Sequence, residues 1–430
     1  MRTICMFAAI FAALAVVGVF QSWSLALAIL NLCLISAVMS LGVNIQWGYA
    51  GLVNFGVLGF AALGGVTAVL VSVAPVPAAW GAGGAGVIVA LSVALTTILA
   101  AVFAARRAPA GLPRRLILAC IILGGYFLAR VFYFPAVEAI EAVDPTKAGF
   151  LGGLGLPILL SWVAGGLFAA VVAWVIGKIA LGLRADYLAI ATLGISEIII
   201  AILKNEDWLA RGVKNVSGLP RPVPYEVDLQ QALWFQDWAA RLGASPVEFS
   251  SIFVKLCYAG LFAIVLFALL WLSERALHSP WGRMMRAIRD NELAASAMGK
   301  DVTGRHLQVF VLGAAVVGVA GAMLTTLDGQ FTPASYQPLR FTFIIWVMVI
   351  VGGSGNNRGA VLGGFVIWFF WIEAEPIGLW VVDLLTSGLA QDSPLRRHLM
   401  ESAAHMRLMI MGVILLLVLR FSPRGLIPER

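Results

Sequence analysis

Charge is scarce in this 430-residue chain: Asp, Glu, Lys and Arg make up 12% of it, against 61% hydrophobic residues. That shortage excludes a water-soluble exterior, so lipid is the solvent for most of the molecule. Cysteine is equally thin. Cys5, Cys33, Cys120 and Cys257 lie inside apolar runs with no close spacing, which excludes a disulfide framework or a metal site and leaves them as small buried hydrophobes. A phosphate-cradling Walker A loop is also missing. Gly177-Lys178 and Gly299-Lys300 are followed by Ile179 and Asp301 and lack the preceding glycine spacing, so any ATP must be hydrolysed by another chain.

What is present is a series of apolar runs, each long enough to cross roughly 30 Å of hydrocarbon in about 17 to 25 residues. They lie near 4–20, 23–45, 49–73, 78–104, 116–134, 156–180, 187–203, 251–273, 306–327 and 404–420. An eleventh run, 341–372, is interrupted by Gly352-Gly353-Ser354-Gly355-Asn356-Asn357-Arg358-Gly359 into two short halves, a re-entrant hairpin or broken helices. The expected fold is an all-α polytopic transmembrane bundle of about ten spans plus that segment, forming a single domain over 1–430.

The net charge of +7 follows membrane topology and does not point to nucleic acid. With the first residues placed in the cytoplasm, the inside loops hold 17 Lys/Arg against 6 acids, and the outside loops 9 against 15. Lys/Arg excess sets orientation, so both termini are expected inside a bacterial inner membrane. Met1 to Phe20 has the apolar core of a secretory signal behind Arg2. No small-residue cleavage pattern follows it, and Gln21-Ser22-Trp23-Ser24 runs straight into the next span.

Glycine concentrates between Leu41 and Gly65, where Gly48, Gly51, Gly56 and Gly59 are interleaved with Asn44, Gln46 and Asn54. In lipid such small residues let helix backbones approach, and the amides need partners across a packed interface or a wet cavity. These residues are therefore candidates for the lining of a path or for helix packing. Glu197 is expected to be the only acid in the middle of an apolar span. It either faces a cavity or partner, or sits hydrated near the outer boundary. Gly352 to Gly355 also fits the GxSG pattern of intramembrane serine proteases. Such an enzyme needs a histidine at membrane depth, whereas His278 and His398 lie in loops and His306 and His405 at span ends.

The run Asn44 to Gly65 resembles the glycine-rich motif of permeases in the branched-chain amino acid importer family. Further stretches agree in order: Leu183 to Gly194; Gly218-Leu219-Pro220-Arg221-Pro222; Gly282-Arg283-Met284-Met285-Arg286-Ala287-Ile288-Arg289-Asp290-Asn291-Glu292 with Ala294, Ala295 and Gly299; the broken Gly352 to Gly359 segment; and Phe421 to Leu426. The chain departs from the family where 75–155 adds two spans, and at Val57-Leu58, where many relatives carry a histidine. The resemblance implies a transporter without cofactor, working with a second homologous permease, two ATP-binding subunits and a periplasmic solute-binding protein. Urea, short amides and other amino acids remain alternative cargoes, as does an ion-coupled carrier working alone.

By the same resemblance, the loop 274–305 is the cytoplasmic contact with the ATPase, through Gly282, Arg283, Arg286, Arg289, Glu292, Ala294, Ala295 and Gly299. The residues themselves allow a short amphipathic helix. Arg286 can pair with Asp290 and Arg289 with Glu292, and Met284 and Ile288 share a face. The plainer role for these arginines is to fix topology and touch lipid headgroups.

Overall fold

The computed structural model describes residues 2–109, 111–144, 149–387, 393–401 and 405–429. Lys147 and Arg430, both counted in the charge balance, lie outside these residues. Nine helices among them are long and apolar enough to cross a membrane. They are α1 (Arg2–Phe20), α2 (Trp23–Gly48), α4 (Pro77–Arg107), α5 (Leu112–Ala142), α6 (Ile158–Ala180), α7 (Ala185–Asn205), α8 (Pro246–His278), α11 (Val302–Asp328) and α13 (Asn357–Leu385). Shorter apolar helices are α3 (Val57–Ser72), α12 (Pro338–Gly352) and α15 (Met406–Phe421). Two small helices, α9 (Pro280–Asp290) and α10 (Glu292–Ala297), link α8 to α11, and α14 (Pro394–Glu401) precedes α15. The all-α polytopic bundle is thus the fold.

Glycine decides how closely the core helices meet. A Cβ on Gly64 of α3 would collide with the Gly318 carbonyl of α11, and one on Gly318 would lie 2.6 Å from the Gly165 carbonyl of α6. These three helices therefore pack backbone against backbone. That contact is the main source of cohesion open to helices in lipid, where apolar side chains gain little by leaving the solvent.

The loops gather at two opposite ends. At one, Val216 pairs with Phe331 in a two-residue antiparallel ladder, and Leu151 N donates to Trp208 O at 3.0 Å. At the other, Ile427 N donates to Gly352 O at 2.9 Å, and Arg289 meets Glu429 at 2.9 Å.

Three expectations need correction. The run 49–73 is not one helix, because residues 51–56 are irregular and α3 begins at Val57. The interrupted run does not form two short halves. Its first part has 15 residues, but α13 continues to Leu385 over 29, past the glutamates where the apolar run stops. Glu197 is not alone, since Glu373 lies inside α13, 2% exposed, and accepts from Gln21 Nε2 at 2.9 Å. Hydropathy stops at a carboxylate, whereas a helix continues wherever the side chain finds a partner.

Helices α4 and α5 form a hairpin that meets the bundle near one end only. Its own apolar cluster there is Ala79, Val87, Ala136, Ile140 and Leu151, and Tyr133 donates to Glu206, whose carboxylate also accepts from Trp208 Nε1 at 2.7 Å. None of the most apolar stretch of α5 is buried, against 78% for α2.

Candidate functional site

The last turn of α2 widens into a π turn over Asn44–Gly48, which loosens the helix and brings polar side chains to its break. Asn44 Nδ2 donates to Asn357 Oδ1 at 3.0 Å, and Asn44 Oδ1 accepts from Gly355 N at 2.9 Å. Gln46 Nε2 donates to Phe310 O at 2.8 Å, and Gln46 Oε1 accepts from Asn54 Nδ2 at 2.8 Å. Asn54 Oδ1 in turn accepts from Gly56 N at 2.7 Å, while the Asn54 carbonyl accepts from Trp346 Nε1 at 3.0 Å. These two sets of bonds hold the α2–α3 break to α11, α12 and α13.

Asn44, Gln46 and Asn54 are at most 1% exposed, so their amides face protein groups inside this chain. A backbone break buried in lipid is tolerated only when its polar groups are satisfied in this way. Gly48, Gly56 and Gly59 belong to the same packed junction: a Cβ on Gly56 would stand 2.7 Å from the Thr192 carbonyl, and one on Gly59 would stand 2.9 Å from Ser196 Cα. Gly51 differs. It is exposed, and its φ of +69° is the left-handed conformation that glycine adopts without strain.

Glu197 stands apart from this junction. Ser196 turns inward against Gly59, which leaves Glu197 on the outward face of α7 with Tyr187, Ile190, Gly194 and Ala201, all exposed. Among the described residues no group bonds its carboxylate. The eight candidates therefore form one buried junction, one exposed turn and one outward stripe.

The 274–305 loop folds into α9 and α10, with Ser279 capping α9, Asn291 capping α10 and Asp301 capping α11. Met285 and Ile288 are its buried face, and Met284 is only half-buried. The expected ion pairs do not form. Asp290 pairs with Arg289 at 3.4 Å and not with Arg286, and Arg289 turns inward to Glu429 and to the Gly48 carbonyl instead of to Glu292. The chain breaks helix geometry at Asn291, so the i, i+3 spacing on which an Arg289–Glu292 pair depends is lost. Gly282 and Ala295 are buried, Arg286 is half-buried, and Arg283, Glu292, Ala294 and Gly299 face outward. Leu293 and Met298, 84% and 79% exposed, complete that outward face. Sequence reasoning passed over them because nothing local distinguishes a surface leucine from a buried one.

The family described as branched-chain amino acid transport system / permease component matches residues 119–419. The chain belongs to this family. The probable branched-chain amino acid transport permease protein LivM of Methanocaldococcus jannaschii is 24% identical over 398 residues, which is 91% of this chain and 90% of that protein. The high-affinity branched-chain amino acid transport system permease proteins LivM of Salmonella typhimurium and Escherichia coli are 26% and 25% identical over 264 residues, 61% of this chain. The match spans 56% of the length of each of these two. No solved structure matches.

As a member of a transport permease family the chain is a multi-pass membrane protein and not an enzyme. In this permease, Arg289 joins the two candidate regions. Its guanidinium reaches from α9 to the carbonyl at the α2 break.

Proposed function

We propose that this permease forms half of the translocation path of an ATP-driven importer for branched-chain amino acids, paired with a second homologous permease in a bacterial inner membrane. Two ATP-binding subunits would dock on α9 and α10, and a periplasmic solute-binding protein would deliver the cargo at the opposite end. The names of the relatives support the cargo, and the missing Walker A loop supports ATP hydrolysis in a partner. The observation that carries the coupling is the Arg289 link between an outward-facing loop and the buried helix break. Closure of the ATPase pair would favour one of two bundle conformations by moving α9, giving alternating access.

Coupling is tested in the reconstituted importer. Charge reversal at Arg283 and Glu292 with Leu293→Asp should loosen co-purification of the ATPase and lower substrate-stimulated hydrolysis about tenfold or more, since removing one partner of an interfacial pair costs about 2–5 kcal/mol. Full ATPase association and stimulation in correctly inserted protein would refute it.

Glu197 supports a further element of this function. A charge facing lipid costs at least about 2.5 kcal/mol at a helix centre, so the outward stripe of α7 belongs against water or the second permease, lining the path between them. The 75–155 pair is then an addition beside the path. The Lys/Arg excess at the end that carries α9 and residue 429 supports a cytoplasmic position for both termini. Reporter fusions after residue 430 and at Arg221 should read cytoplasmic and periplasmic, and the reverse pattern would overturn the orientation.

A further inference from the structure

Helices α1 and α8 both pack on α2, and between them runs an apolar groove of about 580 Å³ walled by Phe7, Phe11, Leu34, Gly260 and Phe365. It follows α8 from Ala259 down to Leu270, where Arg358 stands at its mouth. There it joins a second chamber of about 800 Å³ that shares Phe267, Leu270 and Arg358 with it and adds Trp271, Glu274, Arg275 and His278. The two compartments differ in chemistry. The groove is apolar, while the chamber holds two permanent cations against one carboxylate.

That carboxylate is already divided. Glu274 meets His278 at 3.4 Å and Arg358 at 3.9 Å, and among the described residues no carboxylate pairs with Arg275, whose guanidinium lies 5.0 Å from the Trp271 ring centre. The chamber lies at the end of the bundle where α9 starts, since His278 and Ser279 line it.

We propose that this groove and chamber bind one anionic phospholipid, its acyl chain between α1 and α8 and its phosphate between Arg275 and Arg358. The complementarity is that of an amphiphile: an apolar slot about 17 Å long by helix rise from Ala259 to Leu270, ending on the Arg275 guanidinium, which has no carboxylate partner among the described residues, and on Arg358, which shares Glu274 with His278. A helix of a second chain would fill the slot but would leave these cations unmatched. The lipid would brace α1 and α13 against the foot of α8, immediately before the coupling helices. It binds off the α7 face, so the site does not depend on the cargo or on where the path runs.

The assembled importer is tested by native mass spectrometry after exchange against vesicles of phosphatidylcholine, with or without phosphatidylglycerol. One retained phosphatidylglycerol per chain is expected, preferred about thirtyfold over phosphatidylcholine, because each of the two arginines near the headgroup contributes about 1 kcal/mol. Gly260→Leu fills the groove and should abolish retention. A Cβ at Gly260 meets no atom within 4 Å, so assembly should be kept. Arg275→Gln with Arg358→Gln should keep lipid in the groove but lose the preference for phosphatidylglycerol, which tests the proposal even if the leucine variant misfolds. Equal retention in all variants would overturn it. So would displacement by inorganic phosphate alone, or efficient disulfide cross-linking of Gly260→Cys to a cysteine in the second permease, which would make the occupant a helix.

Discussion

The polar junction and the α4–α5 hairpin are both rich in apolar residues and glycine, and Gly83 and Gly125 of the hairpin are also tightly packed, yet the hairpin's outward face obeys the opposite constraint to the junction. At the junction, Asn44, Gln46 and Asn54 exchange hydrogen bonds with three other helices, and glycines meet backbone carbonyls with no room for a methyl group. In the hairpin, Gly124 has no atom within 4 Å of an added Cβ, and large side chains such as Leu123, Tyr126 and Val131 point outward. Hydropathy alone gives the two regions the same description. What separates them is the cost of change, set by what each atom touches.

The largest break in that comparison is expected from Gly56→Leu. The leucine must displace the Thr192 carbonyl or the Asn54 side chain, and overpacking of this kind costs roughly 1–3 kcal/mol or more. Uptake should fall below detection while the chain still inserts, and normal uptake would show that the junction tolerates bulk. Gly124→Leu, in the hairpin, is the matched control and should leave uptake unchanged.

A smaller effect is expected from Asn44→Ala, which strips a partner from Gly355 N and from Asn357. Leaving buried groups unpaired costs about 1–3 kcal/mol, so the purified permease should lose thermal stability with its secondary structure retained. Asn44→Gln should recover little, because the longer side chain cannot reach both partners from the same backbone position. Stability equal to the parent in Asn44→Ala would show that the network is dispensable.

The smallest effect is expected from shortening the hairpin. Removing residues 88–132 and joining Val87 to Tyr133 through a short Gly/Ser turn keeps the Tyr133 bond to Glu206 and the cluster of Ala79, Val87, Ala136, Ile140 and Leu151 at the base. Uptake should stay within about threefold of the parent, as for a change that leaves the packed core untouched. A collapse of uptake with the bundle intact would show that the exposed faces of α4 and α5 meet a partner that the isolated chain lacks.

Much of the fold was legible because lipid imposes a simple code: apolar length gives a helix, and Gly, Asn and Pro clusters mark its ends. The code failed where a polar group found a partner inside the bundle. Glu373 ended an apolar run in the sequence but continues a helix in space, since Gln21 from the α1–α2 turn bonds it. It failed again at Asn291, where the Arg289–Glu292 spacing looked helical and the capping of a second helix intervened.

Composition, apolar periodicity and motif order by themselves determined that the chain is a helical membrane permease, because each depends only on residue type along the chain. Tertiary structure alone decided the division of labour among its polar residues. Asn44 and Glu197 are both polar side chains within apolar segments, yet one is enclosed by Asn357 and Gly355 while the other is turned outward by the seating of Ser196 on Gly59. Whether a polar group in lipid is a structural joint or an open face depends on which helix lies opposite, and the packing of glycine against glycine across α3, α6 and α11 fixes that arrangement.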